Sequence, residues 1–238
     1  MKIDGVQRYL IAAAIGVRFR PNFSLEDKLG TVVDEILYSD ASFFDPKFFP
    51  NHQAGINERV LLNEETGNTL LLSPSNIILD YNLPNSGDTE SLERVINAFQ
   101  DQIVKGIMKK YEVTQIGRLG AVLRYVFQIP ELAKSFIEQS IGKTLEGVNN
   151  INLRFSKRYP VEEALVKKDI NDYANVILNV IKRADKEELF ISVDYQWYFV
   201  PLLDKVEQMK FEEFVERTTR YNRESFPEWV STNYGLKR

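Results

Sequence analysis

Apolar and polar residues alternate along Phe190-Ile191-Ser192-Val193-Asp194-Tyr195-Gln196-Trp197-Tyr198, the pattern of a strand with two unlike faces. Ile191, Val193, Tyr195 and Trp197 share the apolar face. Ser192, Asp194, Gln196 and Tyr198 share the other. Similar reasoning predicts strands at Val17–Arg20, Arg59–Asn63, Thr69–Leu72, Asn76–Asn82, Gln115–Phe127, Asn152–Phe155, Glu163–Lys167, Ala174–Arg183 and Leu189–Val200. Glu65-Thr66-Gly67-Asn68 reads as a hairpin turn, because Gly67 and Asn68 tolerate a positive φ.

Helical spacing appears in four places. Leu25, Leu29, Val32, Val33, Ile36 and Leu37 define a first helix, with Ser24 as its expected N-cap. Leu92, Ile96, Phe99, Ile103 and Ile107 define a second, from about Thr89 to Tyr111. A third opens at Pro130 and is stopped by Gly142. The fourth runs from about Leu202 to Ser225. Between the first helix and the next strand, Phe43, Phe44, Phe48 and Phe49 form an aromatic loop broken by Pro46 and Pro50.

The order is β-α-β-β-β-α, followed by a second β-α-β-β-β-α. Strand runs followed by helices, without strict alternation, predict an α+β fold with antiparallel sheet. The expected architecture is two related lobes, residues 1–112 and 113–238, packed closely or sharing one continuous sheet. Helices would cover one face of it.

Composition narrows the chemistry. The chain has 238 residues, enough for a substantial core. At 44% hydrophobic and 27% charged, it belongs with globular rather than disordered chains. It has no cysteine and one histidine, His52. That removes disulfides, thiol catalysis, cysteine zinc sites and two-histidine metal motifs. His52 has no identifiable nucleophile to serve, so it reads as a loop histidine. Absent cysteine fits a reducing cytoplasm. The apolar run Tyr9–Val17 reads as the lead-in to a strand rather than a secretory leader, and no stretch reaches the length of a membrane span.

Each motif resembling a catalytic signature fails a spacing or placement requirement. Gly142-Lys143-Thr144 has Ile137 where a phosphate loop needs glycine, and it follows a helix instead of opening one. Gly117-Arg118-Leu119-Gly120 lacks the third glycine of a dinucleotide fingerprint; glycines within a strand more often mark a bulge or close packing. Glu26-Asp27-Lys28 has nuclease-like spacing but sits in the first turn of a helix, where acids are favoured anyway. No catalytic residue, metal ligand or cofactor is therefore assigned.

Binding residues are easier to nominate. Arg118 and Arg124 share a strand face by even spacing, and Arg154 and Arg158 add a basic stretch in the second half. Arg217, Arg220 and Arg223 recur every three residues on the last helix. Asp194, Gln196 and Tyr198 supply a polar strand face; Phe44 and Phe48 supply an aromatic patch. The net charge of −4 argues against wholesale coating of nucleic acid, while leaving room for a local arginine face.

The strand Ile116–Val126, with its Leu123-Arg124-Tyr125, resembles a motif of a sporadically distributed family of bacterial proteins. So does the Val193-Asp194 strand followed by a helix bearing Phe211, Phe214 and Thr218-Thr219. The family pattern has Asn where this chain has Phe127. That family has no established activity, so the resemblance implies no catalytic residue. Its patchy distribution implies an accessory role in a defence or mobile-element system.

The leading expectation is a non-catalytic cytoplasmic binding protein that engages a protein partner or a second copy of itself. One alternative is a nucleic-acid-binding module on an arginine-bearing sheet face. Another is a metal-dependent hydrolase or nuclease centred on Asp194.

Overall fold

The computed structural model describes residues 2–3, 6–38, 49–51, 57–83, 95–128, 138, 141–142, 150–161, 171–182 and 188–234. The chain is α+β. The described strands are β1 (Lys2–Ile3), β2 (Val6–Phe19), β3 (Phe49–Asn51), β4 (Arg59–Leu62), β5 (Thr69–Leu72), β6 (Asn76–Asn82), β7 (Ile116–Gln128), β8 (Ile151–Pro160), β9 (Tyr173–Lys182) and β10 (Glu188–Leu203). They form one sheet in the order β3-β4-β5-β6-β2-β7-β10-β9-β8, with β1 paired to the start of β2. Every described pairing is antiparallel.

β5 and β6 occupy the expected residues. β2 is far longer than Val17–Arg20. Its Ala12-Ala13-Ala14 run has little strand propensity of its own. It is held extended because β6 and β7 satisfy its backbone on both sides, and all three alanines are buried. Tertiary pairing here overrides local preference.

Alternation sorts the central strands cleanly. Leu119, Ala121, Leu123, Tyr125 and Phe127 of β7 join Ile191, Val193, Tyr195, Trp197 and Phe199 of β10 in the hydrophobic core. The helices are α1 (Phe23–Glu26), α2 (Leu29–Leu37), α3 (Phe99–Met108, with wide π-helical turns), α4 (Phe211–Arg220) and α5 (Phe226–Tyr234). Ring contacts tie the last two to the odd-numbered strand residues. Phe226 stacks on Tyr125 at 5.7 Å and meets Phe127 edge-on. Phe214 meets Tyr195, and Trp229 meets Phe155. Buried Asn222 accepts from the Tyr125 hydroxyl at 3.1 Å and donates to the Thr218 carbonyl.

Several local expectations need correction. The first helix is capped by Asn22, not Ser24: Asn22 is extended and its Oδ1 accepts from the Leu25 N–H at 2.9 Å. In the hairpin turn only Gly67 takes a positive φ; buried Asn68 instead accepts the Asn82 N–H through its side chain at 2.7 Å. The C-terminal helix begins later than Leu202, because β10 extends to Leu203 and Gln208 Oε1 captures the N–H groups of Asp204 and Lys205 in a turn. It also runs past Ser225, anchored by fully buried Phe226 and Val230 at helical spacing.

Gly142 follows helical Ile141 and has a φ of +64°, the left-handed geometry of a helix stop. The start of that helix, the expected Glu163–Lys167 strand, His52, Phe44 and Phe48 lie outside the described residues. Among the described residues, no helix is long and apolar enough to cross a membrane.

Candidate functional site

The even-numbered residues of β7 and β10 make the second sheet face, and antiparallel register fixes their neighbours. Arg18, Arg118, Tyr198 and Tyr173 form one row across β2, β7, β10 and β9. Next comes Gly16, Gly120, Gln196, Asn175 and Arg158, ending on β8. Then follow Ala14, Val122, Asp194, Ile177 and Ser156, and after them Ala12, Arg124, Ser192, Asn179 and Arg154. Seven of the nine nominated binding residues therefore share this face: Arg118, Arg124, Arg154, Arg158, Asp194, Gln196 and Tyr198.

The four arginines are not equivalent. Arg124 reaches over β2 to Asp80 on β6 and makes a bidentate pair at 2.6 and 2.8 Å. The crossing spans two strand spacings, roughly 9–10 Å. It is open because β2 presents only Ala12, Ala14 and Gly16 there. Arg124 is thus neutralised, and by Asp80 rather than by Asp194 on the adjacent strand. Arg118, Arg154 and Arg158 make no ion pair with a carboxylate among the described residues.

Tyrosines brace two of these guanidinium groups. Tyr173 and Tyr198 stack with centroids 4.8 Å apart and planes 10° from parallel. Arg158 lies 4.2 Å over Tyr173, and Arg118 lies 5.7 Å from the Tyr198 centroid. A polar chain then descends into the sheet. Arg118 Nη1 donates to Tyr198 Oη at 3.4 Å, Tyr198 Oη donates to Gln196 Oε1 at 2.8 Å, and Gln196 Nε2 donates to Asp194 Oδ2 at 2.6 Å.

Two adjoining depressions result. A wide groove of about 640 Å³ is lined by Arg118, Arg154, Ser156, Lys157, Arg158, Asn175, Gln196 and Tyr198. A smaller slot of about 110 Å³ opens beside it, bounded by Gly16, Arg18, Arg118, Gly120, Asp194 and Gln196. Burial holds the Asp194 carboxyl above the usual carboxylate range, against the Gln196 hydrogen bond and the fields of Arg118 and Arg154. Chemically this is an anion-attracting groove beside a slot whose lining carries the Asp194 carboxylate.

Sequence reasoning missed Tyr173, Asn175 and Ser156, although alternation in β9 and β8 carries them. It also misjudged Gly120. A Cβ there would meet nothing within 4 Å, so Gly120 keeps the slot open; Gly16, opposite, is the close-packed one. Arg217 does not join the face. Glu213 Oε1 accepts two hydrogen bonds from it at 2.8 and 2.6 Å, and its guanidinium lies 5.2 Å over the Trp197 ring on the helix side. Among the described residues, no group of three metal-ligating side chains converges. No protein-family model matches the chain, and no curated protein matches it.

Proposed function

We propose that this chain is a non-catalytic binding protein that holds an anionic partner on its open sheet face. One observation carries the reading: Arg118, Arg154 and Arg158, from β7 and β8, converge on one groove without carboxylate partners among the described residues. Guanidinium groups, two of them braced against tyrosine rings, are well suited to oxyanions. The surroundings of Asp194 support a binding role over metal-dependent hydrolysis. It stands with arginines and an amide, whereas a divalent cation needs several oxygen ligands. The nucleic-acid alternative gains most from this convergence, and an acidic protein partner or a second copy of the chain is the other form of the same reading.

The two-lobed architecture belongs to this proposal. Outward from the β2–β7 seam, the strand order is β2-β6-β5-β4 in the first half and β7-β10-β9-β8 in the second, the same sense in both. A helical segment follows β6 and another follows β10. The seam near residue 112 would join two related β-α-β-β-β-α halves, their helices on the core face and the groove on the other. An accessory role in defence or mobile-element biology rests on the family resemblance alone.

The test is a salt titration of polyanion binding, with fluorescent heparin as probe. The wild-type chain should bind at low salt and release as salt rises. Arg118→Ala/Arg154→Ala/Arg158→Ala should lose that binding while melting normally. Equal binding by the triple variant would refute the assignment.

A further inference from the structure

We infer that the ligand is a nucleotide, its phosphate held by Arg118 and its base lying in the slot with an exocyclic amine on Asp194. The inference rests on the open face being an anion-binding surface and goes on to specify what fills it.

The groove and the slot beside it carry opposite charges. A purely anionic ligand spanning both, such as an acidic peptide, would satisfy the arginines but meet the Asp194 carboxylate as a like charge. Oδ2 of Asp194 accepts from Gln196; no hydrogen bond to Oδ1 is found among the described residues. The complementary ligand therefore carries an anion at one end and a hydrogen-bond donor at the other. Gln196 and Arg118 border both depressions, so the two ends belong to one small molecule or one unit of a chain.

Shape adds a second requirement. The slot floor includes Ala14, Gly16, Gly120 and Val122; Ile78 Cγ1 covers Gly16, and open space stands above Gly120. A low floor open at Gly120 favours a flat group laid on the sheet. The rings of Tyr173 and Tyr198 are occupied by each other and by Arg158 and Arg118. They act as struts for the guanidinium groups and leave the opening at Gly120 as the surface for a planar ligand. A nucleotide meets every condition, and bases rank by edge chemistry. Guanine offers two adjacent donors to a carboxylate, adenine and cytosine offer an amine, and uracil sets carbonyl oxygens against it.

The experiment titrates the full chain with GMP, AMP, CMP and UMP by calorimetry. A second arm uses fluorescein-labelled single-stranded oligonucleotides, guanine-rich or all-uridine, followed by anisotropy. Polyglutamate serves as an anion without a base. Guanine-bearing probes should bind about tenfold or more tighter than uracil-bearing ones, the scale of a bidentate contact. Asp194→Asn should erase that preference. Gly120→Val, which fills the slot where a Cβ has room, should weaken nucleotides about tenfold and spare polyglutamate. Preference among oligonucleotides alone identifies a strand as the source, and preference among mononucleotides identifies a free nucleotide; both support the inference. Equal affinity for GMP and UMP overturns it, as does indifference to Gly120→Val. Polyglutamate binding without nucleotide binding overturns it while leaving the anion-binding reading intact, and failure of every probe overturns both.

Discussion

Gly16 and Gly120 are paired across the central seam, yet the same substitution should act on them in opposite directions. A Cβ on Gly16 would lie 3.0 Å from the Ile77 carbonyl oxygen and 3.0 Å from Ile78 Cγ1. The Ile78 side chain can rotate, but the backbone oxygen cannot, so β2 and β6 must separate. Overpacking of this kind costs about 1–3 kcal/mol. Removing a strand glycine returns about 0.5–1 kcal/mol. Gly16→Ala should therefore lose about 1–2 kcal/mol, whereas Gly120→Ala, whose Cβ meets nothing within 4 Å, should gain about 0.5–1 kcal/mol. At about 2–4 °C per kcal/mol for a chain of this size, their melting temperatures should straddle the wild-type value. Circular dichroism melts and urea titrations of the two variants measure the difference directly. Equal shifts in the same direction would refute the packing asymmetry between the slot and the β2–β6 seam.

Three further outcomes follow from contacts described above. A double-mutant cycle on Arg124→Ala and Asp80→Ala should give a coupling energy of about 1 kcal/mol, discounted because the side chains are 38% and 35% exposed, and shrinking with added salt. Zero coupling at low salt would show that the bidentate pair contributes nothing. Tyr125→Phe leaves the buried Asn222 Oδ1 without the Tyr125 hydroxyl and should cost about 1–3 kcal/mol in urea unfolding; an unchanged midpoint contradicts that. Burial raises the folded-state pKa of Asp194 above its ordinary value of 3.8, so the folded chain binds the extra proton and stability falls as pH rises from 3.8 through the raised value. Asp194→Asn should accordingly stabilise the chain at neutral pH and lose that advantage below about pH 4; a stability difference independent of pH would contradict the burial argument.

The groove was legible in the sequence to the extent that alternation is. The even spacing of Arg118 and Arg124, and of Asp194, Gln196 and Tyr198, already put each set on one strand face. Period-two reasoning stops at the strand, however. It cannot say that β7 and β10 are neighbours in a register that places Tyr198 opposite Arg118 and Asp194 opposite Val122. For the same reason it could not choose Asp80 over Asp194 as the partner of Arg124. That choice depends on a third strand, β2, being lined with small residues. Those residues were themselves the hardest to read, because Ala12-Ala13-Ala14 is extended by its neighbours and not by its own preference. Helix ends failed for a related reason. Asn22 and Ser24 are both good capping residues, and the chain's entry angle decides between them.

The β2–β7 seam sets the order in which this molecule can come into being. Its partners, from Arg8 with Phe127 to Phe19 with Ile116, are separated by about a hundred residues of chain. Closing so long a loop is entropically expensive, and sheets built on such distant pairings fold slowly. During synthesis, β2 can pair with β6 while β7 has yet to be made. Its other edge is then an unpaired strand edge carrying the apolar run Ala12–Val17, open to any strand that offers itself. A second nascent chain could donate its own β7 there. The central seam that positions the groove is thus also where exchange of halves between molecules would begin.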